Sequence, residues 1–244
     1  LRKRMETLGV TLLTGAPLMD IAVKNGTVSG TYKDQTVTGD LLLVAVGRRP
    51  NTAALDLARA GVKIDERGTI PVDAQGRTNV ASIFAVGDLV TGSIQLAHAA
   101  TQQGVAAVEA AAGLKSHVEK LCPSCIFTSP EIGLAGLTEA KAQQLGLTVK
   151  TATFPFSALG KAMAAGETDG FVKWICDAAS GQVLGAQAVG AHATELIAEA
   201  ALAIRNELTV DEVGRTIHSH PTMSEAWMEA AHAFHNACIH LPKR

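Results

Sequence analysis

Ile217-His218-Ser219-His220-Pro221-Thr222-Met223-Ser224-Glu225-Ala226 is the stretch on which the reading of this chain turns. It sets the His220 imidazole shortly before the Glu225 carboxylate, with Pro221 fixing the chain between them. Histidine is the side chain whose ordinary pKa lets it exchange a proton near neutral pH. A carboxylate within hydrogen-bond reach selects its tautomer and stabilises its cation. Pro221 biases His220 toward an extended backbone, off the helix that follows, so the ring can project from the rim of a domain. Spacing alone leaves a second reading open. Thr222-Met223-Ser224-Glu225 is also a capping box, in which Thr222 caps the helix and Glu225 returns to the cap amide.

A second segment carries a carboxylate of another kind. Thr78-Asn79-Val80-Ala81-Ser82-Ile83-Phe84-Ala85-Val86-Gly87-Asp88 reads as a short apolar strand ending in Gly-Asp. Open α/β sheets bind ligands at the C-terminal ends of their strands. Gly87 allows close approach of a ligand to the backbone, and Asp88 can accept hydrogen bonds from sugar-like hydroxyls. Gly-Asp is equally an ordinary turn.

Together these stretches resemble a known family. The run 217–226 resembles the C-terminal signature of the dihydrolipoamide dehydrogenases, class I members of the FAD-dependent pyridine nucleotide-disulfide oxidoreductases. The resemblance implies His220 as the acid/base and Glu225 as the carboxylate that orients it. Residues 78–88 are similar to the family's second FAD motif, which implies that Gly87 and Asp88 hold the ribityl chain of the flavin. Val44-Ala45-Val46-Gly47-Arg48-Arg49-Pro50-Asn51-Thr52 resembles the crossing from the NAD domain back to the FAD domain. Ile94-Gln95-Leu96-Ala97-His98 resembles the segment whose backbone meets the flavin ring, which implies Leu96, Ala97 and His98 as flavin neighbours. The interval from Asp88 to His98 is longer than the family's usual one. Ala193-Thr194-Glu195-Leu196-Ile197-Ala198-Glu199-Ala200 resembles the interface-domain helix of lipoamide dehydrogenases more than that of glutathione reductases.

The resemblance sets the expected architecture: an α/β remnant of the NAD- and FAD-binding domains followed by an α+β interface (dimerisation) domain. Residues 1–46 would be the C-terminal part of the NAD-binding domain, 47–117 the C-terminal part of the FAD-binding domain, and 118–244 the dimerisation domain. It implies an enzyme that passes electrons from dihydrolipoamide through a disulfide and FAD to NAD+. It implies a homodimer, because in the family the histidine serves the flavin and disulfide of the partner subunit. The dihydrolipoyl substrate would be carried on a 2-oxoacid dehydrogenase complex. Family members also carry two glycine-rich nucleotide fingerprints and a redox Cys-x4-Cys. No Gly-x-Gly-x-x-Gly occurs here, and Cys122, Cys125, Cys176 and Cys238 do not have the redox spacing. The chain is therefore expected to be the C-terminal half of a larger enzyme, inactive alone and without a tight hold on FAD. The competing readings are a catalytically silent dimerisation module, or another member such as a glutathione or mercuric reductase.

Composition narrows the class. The 244 residues carry a net charge of −2 and are 47% hydrophobic. Nothing marks a nucleic-acid surface, and no apolar run approaches the ~20 residues that span a membrane. The cysteines show no disulfide framework, which fits a reducing cytoplasm. Cys122-Pro123-Ser124-Cys125 could be a redox pair or half a zinc site. Zinc would need further ligands, and no second close Cys/His pair lies nearby. Arg48 and Arg49 could bind an anion but read as solvated. His98, His192, His232, His235 and His240 read as packing or surface residues.

Periodicity and breakers give the elements. A helix end is expected over 1–8, stopped by Gly9, then short β segments at 11–13, 21–24 and 27–32 and a buried apolar strand at 41–46. An alanine-rich helix is expected over 97–112. Strands follow from Cys125 and at 148–154, 170–177 and 183–189, with a hairpin turn at Ser180-Gly181. Helices are expected from Thr138 to Gly146, over 194–205, after a capping box at Thr209, and over 223–237.

Overall fold

Alternation of apolar residues builds the sheet that carries the site. In Gly170–Asp177 (β7), Val172, Trp174 and Cys176 are fully buried, and in Val183–Gly190 (β8) Val183, Ala186 and Ala188 are buried with them. The two strands pair antiparallel. Their turn is closed by Asp177, whose Oδ1 accepts from the Ala179 amide at 3.1 Å and the Ser180 amide at 2.8 Å, the local bonding that makes aspartate a turn residue. Ser124–Ile126 (β4), Glu131–Gly136 (β5) and Val149–Pro155 (β6) complete an antiparallel sheet of order β4-β5-β8-β7-β6. The structure is a computed structural model and describes residues 1–242.

Helices cover this sheet. Ala193–Arg205 (α5) packs on β5 and β8, and Glu225–Phe234 (α7) packs on β6 and β7. The approach of α5 is close. A Cβ on Gly133 would collide with the Ala193 carbonyl oxygen and stand 2.9 Å from Ile197 Cβ. Val210–Arg215 (α6), with the predicted capping box from Thr209 to Glu212, packs against α7. Two buried indoles join the layers. The Trp174 and Trp227 rings lie 4.3 Å apart between centroids. Trp174 Nε1 donates to the Trp227 carbonyl and Trp227 Nε1 to the Leu196 carbonyl, each at 3.0 Å. Buried indole N–H groups need such partners, and these two fasten β7 to α7 and α7 to α5. The shorter helices Glu139–Gln144 (α3), capped by Thr138, and Gly160–Ala165 (α4) flank the sheet.

The first hundred residues are organised differently. Arg2–Thr7 (α1) precedes a three-stranded meander, Leu18–Lys24 (β1), Thr27–Tyr32 (β2) and Gln35–Gly39 (β3). Residues 11–13 form no strand, contrary to expectation. Neither do residues 41–46, expected as a buried strand. Leu41 is 88% exposed and Val46 94% exposed, and among the described residues no strand pairs with this run. An apolar run becomes a buried strand only where a ladder partner and covering layers exist. The expected strand before Asp88 is reduced to isolated bridges, Arg77 with Phe84 and Ile70 with Val90. A small core of Val62, Ile70, Ala85 and Val90 holds this part together, with Asp65 and Asp73 closing its turns by accepting from the Arg67, Thr69, Gln75 and Arg77 amides. Ala97–Ala111 (α2) forms where predicted and contacts the turn at Gly87–Leu89.

Candidate active site

Glu225 opens α7 and divides its two oxygens between two partners. Oε1 lies 2.9 Å from His220 Nδ1, and Oε2 accepts from the Thr222 amide at 2.8 Å. The carboxylate thus bonds to the imidazole and to the backbone of the helix entry at once. The capping half of the sequence reading needs correction, however. Ser224, not Thr222, is the residue before the helix, and it caps with no side-chain bond. Thr222 Oγ1 turns instead to the Ser219 carbonyl at 2.7 Å, which tightens the loop that presents His220.

The two members of the pair sit in different surroundings. The Glu225 side chain is 9% exposed and the His220 side chain 70% exposed. Burial opposes charge on Glu225, but the bonds from the Thr222 amide and His220 outweigh it and hold the carboxyl below its ordinary pKa. An ionised carboxylate only accepts hydrogen bonds, so His220 Nδ1 carries the proton toward it, and Nε2 is the open base of the neutral ring. The His220-Pro221 peptide is cis, and the ring Cε1 would stand 3.9 Å from a Cβ placed on Gly160, at the start of α4.

Asp88 belongs to a separate site. It lies in the Gly87–Leu89 turn, and its Oδ2 accepts from Arg48 Nη1 at 2.7 Å. Gly87 has φ of 80°, and its amide donates to Gln103 Oε1 of α2 at 2.7 Å. Positive φ is the conformation that favours glycine. A cavity of about 840 Å³ opens here, lined by Arg48, Arg49, Asp65, Asp88, Thr91 and Gln95 among others. Arg48, read as solvated from sequence, is thus the ion-pair partner of Asp88. No local pattern couples two side chains so far apart in the chain. Leu96 precedes α2 and Ala97 opens it. His98 Nε2 bonds the Pro123 carbonyl at 2.7 Å, and the side chain lines a smaller cavity beside Cys122. No hydrogen bond or ion pair joins Asp88 to His220 or Glu225 among the described residues.

Other carboxylate–imidazole pairs were not legible in sequence. His218 Nε2 lies 2.7 Å from Glu199 Oε1, and His240 Nδ1 lies 2.7 Å from Oε1 of the fully buried Glu229. Glu199 and Glu229 are separate members of α5 and α7, and nothing in their spacing announces the contact. Cys122 and Cys125 are free and partly buried. Burial raises both thiols, with Glu131 and Glu195 adding to the effect at Cys125.

Comparison with known proteins places this arrangement. Residues 122–231 match the dimerisation domain of the pyridine nucleotide-disulphide oxidoreductases, and residues 1–104 match the preceding pyridine nucleotide-disulphide oxidoreductase domain. The chain belongs to the pyridine nucleotide-disulphide oxidoreductases. Within this family it is similar to the dihydrolipoyl dehydrogenase of Chlamydia muridarum, 45% identical over 235 residues, which cover 96% of this chain and 50% of that protein. Its fold is similar to that of LpdA from Mycobacterium tuberculosis, with a TM-score of 0.87 and 31% identity over 94% of this chain and 50% of the other. It is also similar to the HOCl-induced flavoprotein disulfide reductase RclA from Escherichia coli, with a TM-score of 0.88 and 26% identity over 96% of this chain and 54% of the other. The chain thus spans about half the length of the curated relatives it matches. Its mixed α/β part followed by an antiparallel sheet with covering helices is this family's fold, as expected. No helix among the described residues is long and apolar enough to cross a membrane.

Proposed function

We propose that the protein carrying this chain is a flavin-dependent dihydrolipoyl dehydrogenase, which oxidises dihydrolipoamide to lipoamide and reduces NAD+ to NADH. The observation that carries the reading is the His220–Glu225 pair. One ring nitrogen is bonded to a buried carboxylate, and the other is free at an exposed rim. In this reading His220 Nε2 accepts the proton of an incoming dihydrolipoyl thiol and leaves a nucleophilic thiolate. Glu225 keeps the ring in the Nδ1–H tautomer and stabilises the imidazolium that forms. The same proton returns to a thiol when the reaction runs backward. Relatives named dihydrolipoyl dehydrogenase support the choice of substrate.

The residues around Asp88 suit FAD. An accepting carboxylate and the Arg48 and Arg49 guanidinium groups beside one cavity match a ligand that bears both hydroxyls and phosphates. Bound there, a flavin supplies the two-electron link between a thiol pair and a nicotinamide. Asp88 would exchange Arg48 for ligand hydroxyls, with Gly87, Leu96, Ala97 and His98 as further neighbours. We assign 1–46 to the end of an NAD-binding domain, 47–117 to the end of an FAD-binding domain and 118–244 to the dimerisation domain. The working form is a homodimer in the cytoplasm, acting on lipoyl groups of a 2-oxoacid dehydrogenase complex. The matched dimerisation domain supports the first point and the four free cysteines the second.

RclA favours a second reading, a flavoprotein reductase of another disulfide. The deciding experiment joins this chain to the N-terminal half of the C. muridarum relative and follows dihydrolipoamide-dependent NAD+ reduction. Turnover that is lost in His220→Gln supports the first reading. Reduction of other disulfides with no dihydrolipoamide activity supports the second.

A further inference from the structure

Just upstream of His220, the same loop holds an imidazole in quite different surroundings. The His218 side chain is 5% exposed, although Ile217 beside it is fully in solvent. Its Nδ1 lies 2.9 Å from the Thr216 carbonyl oxygen, and its Nε2 lies 2.7 Å from Glu199 Oε1. A carbonyl oxygen can only accept a hydrogen bond, and so can an ionised carboxylate. A neutral imidazole has one N–H and cannot serve both. The arrangement is complete only when both ring nitrogens carry protons, with a positive ring beside a negative carboxylate. Hydrogen bonding to Glu199 raises the His218 pKa. Burial opposes this, and the Thr216 carbonyl and the Glu199 and Glu225 charges reinforce it.

The pair has a rigid base. Glu199 sits on α5 between Ile197 and Ala200, both buried on the sheet. The Leu196 carbonyl of that helix receives the Trp227 indole of α7. The loop is thereby tied at two points. Upstream, His218 is held to α5; downstream, the Thr222 amide is held to Glu225 at the start of α7. His220 lies between the two ties, and its ring can meet Glu225 only if the backbone there keeps its course.

We propose that His218 is a positioning residue for His220: held as an imidazolium between Glu199 and Thr216, it clamps the 216–221 loop to α5 and sets the His220 ring on Glu225. The functional meaning of the clamp rests on the reading of His220 as the acid/base. The charged groups acting on His218 are Glu199 from α5 and Glu225 from α7.

The test uses the 244-residue chain with ¹⁵N-labelled histidines and long-range proton–nitrogen spectra across pH. His218 should show two protonated nitrogens at neutral pH and titrate above the ordinary histidine value of about 6.5. Neutral His220 should show the Nδ1–H tautomer alone. Glu199→Gln should lower the His218 midpoint and give His220 a mixture of tautomers, while the amide spectrum of the sheet stays native. If Glu199→Gln does not fold, Glu199→Asp keeps the charge and shortens the reach, and should mix the His220 tautomers in the same way. A wild-type His218 that titrates at or below the ordinary value overturns the proposal. So does an unchanged His220 tautomer in a folded Glu199 variant. These spectra need no turnover, so they stand or fall separately from the dihydrolipoamide assay.

Discussion

Replacing Glu225 by glutamine tests the division of its two oxygens. The Thr222 amide can only donate, so it will claim the one oxygen that glutamine offers, in place of Glu225 Oε2. The amide nitrogen of the new side chain then faces His220 Nδ1, 2.9 Å away in the native pair. Two donors cannot bond, so Nδ1 must become the acceptor, and the ring proton moves to the outward Nε2. The exposed nitrogen is then no longer a base. An amide in place of the orienting carboxylate in serine proteases costs about 10⁴ in rate for the same reason, and loss of a positioned general base costs about 10²–10⁴-fold. We therefore expect Glu225→Gln to slow dihydrolipoamide oxidation by at least about 10²-fold in the chimeric enzyme. The size of the side chain and the helix entry are kept. The assay pairs that rate with imidazole ¹⁵N spectra of the chain, in which neutral His220 should switch from Nδ1–H to Nε2–H. A Glu225→Gln chain whose His220 keeps the Nδ1 proton, or an enzyme at nearly full rate, would refute this account and leave Glu225 as a fastening for the helix entry.

Other expectations follow from the same contacts. Trp227→Ala removes a fully buried indole from between β7 and α5, and large aromatic truncations in a core cost about 3–5 kcal/mol. Urea unfolding should show a loss of that order with the slope little changed. His218 has a raised pKa in the folded chain, so its contribution to stability is fully present below the unfolded value of about 6.5 and fades as pH rises through the folded value. Glu225, with a lowered pKa, contributes above its unfolded value and fades as pH falls through the folded one. Thermal melts against pH should show both limbs, and Glu199→Gln should flatten the alkaline one. Sedimentation at tens of micromolar should give a dimer through the 118–244 region; a monomer throughout would count against that assembly.

Much of the dimerisation region could be read directly because local chemistry and tertiary packing agree there. Asp177-Ala178-Ala179-Ser180-Gly181 carries its own turn bonds, and Thr209 with Glu212 forms the capping box that their spacing suggests. β5 went unread because Glu131-Ile132-Gly133-Leu134-Ala135-Gly136 is rich in residues of low strand propensity. Its strand comes from pairing with β8, and Gly133 is there to admit α5. The run 41–46 failed in the opposite sense. Its apolar residues have the composition of a buried strand, but among the described residues no ladder receives them. At the candidate site, the His220–Glu225 contact was legible from a short spacing. The Arg48–Asp88, Glu199–His218 and Glu229–His240 pairs were not, because each joins side chains that only the folded arrangement brings together. Glu225 answers both to the helix-entry pattern and to the acid/base pattern because its carboxylate has two oxygens and uses both.

The most direct test is the rate of dihydrolipoamide-dependent NAD+ reduction by His220→Gln in the enzyme assembled from this chain and a relative's N-terminal half. With His220 as the proton acceptor, the rate should fall by about 10²–10⁴-fold while the flavin stays bound. A flavin-loaded His220→Gln enzyme that turns over dihydrolipoamide at the unsubstituted rate would contradict the assignment.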